Sequence, residues 1–279
     1  IIPAASYDKF QLMIQNDYEP QYTRNALQLN NGDGTFSDIA FMAGVSSTDW
    51  SWATLFADYD NDGNKDLFVT NGFYRDLGNL DYINYQTRIN SPMGNQVAKR
   101  KQKLDAIRDL AKLPLQDYLF ENNGNLKFTK RSTEWGIGEP GFSNGASYAD
   151  LDNDGDLEII INQFNGTAKI YRNNAEVLTT NNHLSIKLIG LAPNLQAIGS
   201  KVFLYAGDSL QMLEMNPYRG FESSVDPTIN FGTGNHKTID SLKIVWPDGK
   251  IQVKRNIKTN QKLLITYGQG NDSISLLST

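Results

Sequence analysis

Two short acidic runs carry most of the chemistry in this sequence. In Asp58-Tyr59-Asp60-Asn61-Asp62-Gly63-Asn64-Lys65-Asp66, side-chain oxygens fall at positions one, three, five and nine. Gly63 permits a sharp turn, and Asn64 can offer its backbone carbonyl. Asp150, Asp152, Asp154, Gly155, Asp156 and Glu158 repeat the layout. A hard divalent cation takes six to eight oxygens at short range, and this spacing wraps them around one point. Calcium fits such a flexible, all-protein set better than magnesium, which prefers octahedral rigidity and retained waters. Zinc is poorly served, because the chain has no cysteine and neither of its two histidines lies in these runs. Without an ion, carboxylates held so close would repel one another. Two calcium sites are therefore expected, one from Asp58, Asp60, Asp62, Asn64 and Asp66, the other from Asp150, Asp152, Asp154, Asp156 and Glu158. Neither is an EF-hand, since the twelfth position holds Val69 or Ile161 where that motif needs a bidentate Glu.

Plain solvated Asp-Gly turns are the competing reading, and the wider sequence speaks against it. Asn30-Asn31-Gly32 falls on Asn122-Asn123-Gly124 at an offset of 92 residues. The same register places Phe36 on Phe128, Gly44 on Gly136, Ala57-Asp58 on Ala149-Asp150, and Asp60 to Gly63 on Asp152 to Gly155. A third start appears at Tyr171-Arg172-Asn173-Asn174, and its Asn173 comes only 51 residues after Asn122, leaving about 41 extra residues in the first unit. That extra length fits a stretch from about 74 to 114. Within it, residues 96–112 place Val97, Leu104, Ile107, Leu110 and Ala111 near helical spacing. The cluster Lys99-Arg100-Lys101 there reads as a solvated helix face.

Outside the insertion, short strands flank each acidic run: Phe56-Ala57 and Leu67 to Thr70 in one copy, Ser147 to Ala149 and Glu158 to Ile161 in the other. A β unit of ~40–50 residues in tandem predicts propeller blades. Closed propellers need ~4–8 blades, so residues 1–176 predict an incomplete propeller. From His183 the acidic runs stop and alternation continues, in Leu184 to Leu188, Lys201 to Tyr205 and Ser241 to Trp246. Pro247-Asp248-Gly249-Lys250 marks a hairpin. The expectation is a small antiparallel β-sandwich or barrel over residues 182–267, then a loose tail over 268–279. The fold class is thus all-β: propeller-type blades with a helical insertion, followed by a small β domain.

These residues also carry a family likeness. The pattern Asp-x-Asp-x-Asp-Gly-x-x-Asp between short strands, preceded by Asn-Asn-Gly-x-x-x-Phe, resembles the FG-GAP/VCBS repeats of integrin-like propellers over about residues 25–174. The resemblance implies a structural calcium that ties the loop between two strands of a blade. The second run departs from it by placing Glu158 where the pattern has Asp. Further on, Ala197-Ile198-Gly199-Ser200-Lys201-Val202, Arg219-Gly220-Phe221-Glu222-Ser223-Ser224, Phe231-Gly232-Thr233-Gly234 and Val245-Trp246-Pro247-Asp248-Gly249 resemble the ASPIC/UnbV domain. That domain commonly follows such repeats in cartilage acidic protein-like proteins. Asn230 and Thr233 depart from its usual His and Leu. Bacterial surface proteins of the Bacteroidetes type are also similar in arrangement.

Other signals are weaker. Gly141-Phe142-Ser143-Asn144-Gly145 matches a nucleophile elbow, but that motif needs a helix after it, and here a strand follows. His183 and His236 show no acidic or Ser partner in the sequence, which favours surface or turn roles. Trp50, Trp52, Trp135 and Tyr148 suit either a blade core or stacking on sugar rings, and core filling is favoured. Asn165-Gly166-Thr167 and Asn271-Asp272-Ser273 are glycosylation sequons. A net charge of -5 argues against nucleic acid. No apolar run approaches the ~18 residues that cross a bilayer. The first residue is Ile1, which suits a processed product or a piece of a longer protein.

The function expected is a calcium-stabilised module, extracellular or at the cell surface (outer membrane-associated in a bacterium). It would contact a polysaccharide, a surface protein assembly such as an outer-membrane complex, or the rest of a longer propeller. The alternative is a propeller-based polysaccharide lyase or hydrolase that uses calcium at its substrate.

Overall fold

A computed structural model describes residues 7–18, 22, 24–89, 95–269 and 273–274. A helix α1 (Tyr7–Gln15) comes first, followed by the hairpin β1 (Gln28–Asn30) and β2 (Phe36–Asp38) and a single turn α2 (Ala40–Ala43). The first full blade joins β3 (Ser51–Ala57) and β4 (Asp66–Asn71) to two strands beyond the insertion. The insertion holds α3 (Leu80–Ile89) and α4 (Gln96–Asp109), and the later strands are β5 (Tyr118–Asn122) and β6 (Phe128–Lys130). Their order in the sheet is β3-β4-β5-β6. The second blade has three strands in the order β7 (Ser143–Ala149), β8 (Glu158–Gln163) and β9 (Lys169–Tyr171).

The 92-residue repeat is visible in the pairing itself. Ala57 pairs with Asp66 as Ala149 pairs with Glu158, and both hairpins shift register at the same place, Ser51/Thr54 and Ser143/Ala146. Gln28 pairs with Asp38 as Phe120 pairs with Lys130, so β1–β2 corresponds to the outer hairpin of a blade. Among the described residues, β2 is the only partner of β1, and the blades close no ring. All six residues of β4 are buried, as befits a central strand covered on both faces. Its polar members are satisfied: Thr70 Oγ1 accepts the Ala53 N–H at 2.8 Å, and Asn71 Oδ1 accepts the Trp50 N–H at 2.8 Å. Between the blades, Leu55, Phe68, Leu119, Ile159 and Ile161 form one core.

A bridge between Phe73 and Leu113 closes the neck of the insertion. Helix α4 starts where Asn95 Oδ1 accepts the Val97 N–H at 2.9 Å. The helix forms as its spacing predicts, but the apolar face does not reach a core. No residue of α4 is buried, and Val97 is 79% exposed.

After a one-turn helix α5 (Ala175–Leu178) the C-terminal domain begins. Its strands are β10 (Asn182–Ile189), β11 (Lys201–Ala206), β12 (Ser209–Glu214), β13 (Ile229–Gly234), β14 (Thr238–Val245), β15 (Ile251–Lys258), β16 (Gln261–Thr266) and β17 (Ser273–Ile274). They form two sheets, β13-β10-β16 and β12-β11-β14-β15-β17. Leu184, Ile186 and Phe231 from one sheet and Val202, Leu242 and Ile244 from the other fill a shared core. The hairpin at Pro247 forms: Trp246 and Lys250 are hydrogen-bonded across it at 2.9 Å. One expectation needs correction. The sandwich is not wholly antiparallel, because β10, its first strand, and β16, its last but one, lie side by side and parallel. Alternation specifies a face and leaves strand direction open. Within the expected tail, β17 pairs with β15, and residues 270–272 and 275–279 lie outside the described residues.

The two parts pack closely. Gly220, at φ +80°, lies over the seam between blades, with space for a Cβ only 3.3 Å from Ala146 O and Leu55 Cδ2. Phe221 packs on Trp52 with ring centroids 4.7 Å apart, and Val225 enters the inter-blade core.

Candidate metal centres

Each acidic run is the connection of a two-stranded hairpin, β3–β4 or β7–β8. Asn61 and Gly63 take positive φ (60° and 102°), and Asn153 and Gly155 repeat them (63° and 97°). Asn tolerates the left-handed region better than most residues, and Gly adopts it without steric cost. The backbone then turns inward. Asp58 Oδ1 accepts the Asp62 N–H at 3.1 Å and Oδ2 accepts the Gly63 N–H at 2.9 Å. Asp62 Oδ1 accepts the Asn64 N–H at 2.6 Å, and its Oδ2 accepts from the Asn64 amide at 2.9 Å.

In the first loop, oxygens of Asp58, Asp60 and Asp62 lie within 4.8 Å of one another. Asp66 stands outside this group: it accepts the Tyr59 N–H at 3.0 Å and the Asn122 N–H at 2.9 Å. Its role in the fold is to staple the loop to the next strand. Glu158 repeats it, accepting from Leu151 N at 2.7 Å and from Asn173 N at 3.2 Å. The longer Glu arm thus does the same work as Asp.

The second loop divides its carboxylates. Asp150, Asp152 and Glu158 form one group, and Asp154, Asp156 and Glu176 form another. Asp156 takes position seven, where the first loop has Asn64, and its side chain turns away from Asp150. It accepts from Asn61 Nδ2 at 2.7 Å and from the Glu176 N–H at 2.5 Å, linking the two loops. Arg172 Nη2 lies 3.2 Å from Asp152 Oδ2 and 3.8 Å from Asp154 Oδ2 and Glu176 Oε1.

The electrostatics favour a cation at both loops. Burial, reinforced by neighbouring carboxylates, raises Asp58 to about 7 and Asp60 to about 6. Burial also raises Asp66 to about 8 and Asp156 to about 7, and shifts Asp154 and Glu158 upward. Lys65, itself weakened as a base by burial, sits 3.9 Å from Asp58 Oδ2. Asp150 Oδ1 and Asp154 Oδ2 are buried without a hydrogen-bond partner. A buried carboxylate oxygen in that position is an acceptor lacking a donor, so the residues present fit a hard cation.

Several groups escaped the sequence reading. His183 packs its ring against Gly155, where a Cβ would fall 1.9 Å from Cε1. Burial lowers its pKa, opposed by the field of Asp150. It therefore has an acidic neighbour, contrary to expectation, and with Asp150, Asp154, Glu176 and Lys262 it lines a cavity of about 440 Å³. Glu176 and Arg172 had no signal in the spacing. Asn173 had one, as the counterpart of Asn122.

Ser143 is no elbow nucleophile in this fold. It is fully buried at the start of β7, donates to Asp117 Oδ2 at 2.7 Å and accepts from Gln163 Nε2 at 2.6 Å. Trp50 and Trp52 are half-buried and pack on Phe73, and Trp52 Nε1 donates to Gly72 O at 2.6 Å. Trp135 and Tyr171 line a cavity of about 500 Å³ between the blades, with Asp60 among its walls.

Comparison with known families matches this arrangement. The FG-GAP-like repeat model matches residues 12–69 and 114–161, and the gap between them contains α3 and α4. The ASPIC and UnbV model matches residues 190–272. The chain therefore carries FG-GAP-like repeats followed by an ASPIC and UnbV domain. Over 98% of its length it is similar to cartilage acidic protein 1 of Homo sapiens, at 24% identity, and 44% of that protein is covered. The Xenopus tropicalis protein of the same name is 26% identical, covering 90% of this chain and 42% of its own length. The chain thus spans less than half of these relatives. No helix among the described residues is long and apolar enough to cross a membrane.

Proposed function

We propose that this chain is a calcium-stabilised scaffold or adhesion module that works outside the cell or on its surface. The observation that carries the reading is the pair of equivalent hairpin loops, each gathering three carboxylates within 4.8 Å, with burial opposing the ionisation of Asp58, Asp60 and Glu158 among them. Asp58, Asp60 and Asp62 would hold one ion, and Asp150, Asp152 and Glu158 the other. Asn64 and Asp156 would contribute through backbone carbonyls, while Asp66 staples the first loop. Bound calcium would supply the positive charge that lets Asp58 and Glu158, the buried members of the two groups, stay ionised.

Millimolar calcium outside cells suits loops with affinities of ~10⁻⁴ to 10⁻³ M, which supports the location. The likeness to proteins named for cartilage supports it further. The partner proposed is a protein or polysaccharide of a surface assembly. The half-exposed aromatic rings of Trp50, Trp52 and Trp135 support such contacts, as ring faces stack on other planar or apolar surfaces. The test is calorimetric titration of the chain with calcium. Two binding events at sub-millimolar to millimolar affinity are expected, and absence of binding to the folded chain would remove the reading.

A further inference from the structure

The first acidic loop lies against backbone of the C-terminal domain. At Gly232 of β13, a Cβ would fall 2.2 Å from Asp58 Oδ2 and 2.5 Å from the Asn61 carbonyl carbon. Real Cβ atoms do not approach so closely, so the close contact requires glycine. Two residues on, the Gly234 N–H donates to Asn61 O at 2.9 Å. On the other side, Gln211 Nε2 of β12 donates to Gly232 O at 2.7 Å and lies 3.3 Å from where a Cβ on Gly63 would sit. Lys65 Nζ lies 5.7 Å from the centroid of the Phe231 ring. The Asn181 amide, just before β10, donates to Asp60 O at 2.9 Å. At the second loop the corresponding Gly155 meets the His183 side chain, and a side chain can swing aside where backbone cannot.

We propose that cation binding at the first loop and docking of β13 are one coupled event, with Phe231–Gly234 as the coupling segment. The inference rests on the calcium reading of that loop. Asp58 connects the two processes, because it belongs to the carboxylate group and touches Gly232. When its charge is uncompensated, seating β13 over it removes water from an ionised group, which is costly. When a cation compensates the charge, that cost falls and β13 seats. By linkage, the seated strand must raise the affinity of the loop for its ion by the same factor. The domain whose Phe-Gly-x-Gly string lies far along the chain from the acidic repeats thus completes one of them.

The test uses the full chain. Hydrogen exchange of residues 229–236 is followed with 1 mM calcium and with chelator (a concentration of about the extracellular level), in the natural protein and in Asp60→Ala. Calcium should slow exchange in the natural protein and leave it unchanged in Asp60→Ala, although the second loop still binds. Gly232→Ala should weaken calcium binding at the first loop about tenfold or more, within the usual span of coupling, and spare the second. Equal exchange with and without calcium in a protein that binds two ions would overturn the coupling. So would two natural affinities in Gly232→Ala. If Gly232→Ala does not fold, the exchange comparison decides alone. A natural protein that binds no calcium overturns the coupling together with the reading beneath it, and the titration identifies that case.

Discussion

The two acidic loops have the same spacing, the same turn and the same staple, yet they sit in different surroundings. The first has one ammonium at 3.9 Å from Asp58 and lies under glycine backbone of β13. The second has a guanidinium reaching Asp152, Asp154 and Glu176, a histidine ring over its glycine, and its acids split into two groups. A repeat therefore copies the local fold without copying the charge balance around it. On the calcium reading proposed above, the first loop, with only Lys65 near Asp58, would depend on an added cation more than the second, where Arg172 reaches three carboxylates.

The largest expected effect comes from removing the staple. Asp66→Ala would orphan the Tyr59 and Asn122 N–H groups, each worth about 1–3 kcal/mol when buried, and the loss should persist in saturating calcium. Urea melts with and without calcium measure it. An Asp66→Ala protein fully restored by calcium would show instead that Asp66 acts as a ligand.

Next in size is the calcium dependence of stability. At ten times the dissociation constant, each site should add about 1.4 kcal/mol, seen as a rise in melting temperature. Asp60→Ala and Asp152→Ala should each remove one increment. A larger loss from Asp60→Ala would support the greater dependence of the first loop, and equal losses would remove that distinction.

Acid–base behaviour gives a third test. In calcium-free protein, Asp58, Asp60, Asp66 and Asp156 have folded pKa values raised to about 7, 6, 8 and 7, above the ordinary carboxylate value. Groups raised on folding favour the folded state fully below about pH 4 and lose that contribution progressively as pH rises from there to their folded values of about 6–8. Stability without calcium should therefore fall across that window. Saturating calcium should flatten or reverse the slope, and melts from pH 4 to 8 in both conditions measure it.

The smallest effect expected is at Arg172. An exposed ion pair is worth about 0–1 kcal/mol, so Arg172→Ala should tighten calcium at the second loop only a few-fold and leave the first unchanged. Separate calorimetric fits in the Asp60→Ala background isolate that site.

The sequence made the blades legible because a hairpin repeat leaves a register, and Asn30, Asn122 and Asn173 could be aligned without knowing any contact. It located the carboxylates but not their division of labour. Asp66 and Glu158 have the spacing of ligands, and only the position of the next strand reveals that both staple their loops to it, while Glu158 also lies in a carboxylate group with Asp150 and Asp152. Asp156 reads as one of a ring, until Asn61 from the other loop draws its side chain away. The contacts of His183 and Gly232 were hidden for a similar reason. Each lies far along the chain from the loop it touches, and tertiary packing across a domain joint leaves no periodic trace. The same limit explains β16, whose parallel place beside β10 at the edge of a three-stranded sheet is not specified by alternation. Helix α4 forms where its spacing places it, but among the described residues nothing buries its apolar face, and Val97 is 79% exposed.

The central claim is that both loops hold calcium and that the ion stabilises the fold. Calorimetric titration with parallel thermal melts, on the natural chain and on Asp60→Ala/Asp152→Ala, tests it most directly. Two binding events and a calcium-dependent rise in melting temperature, both lost in the double variant, are predicted. A folded chain that binds no calcium and melts at the same temperature in chelator would contradict it.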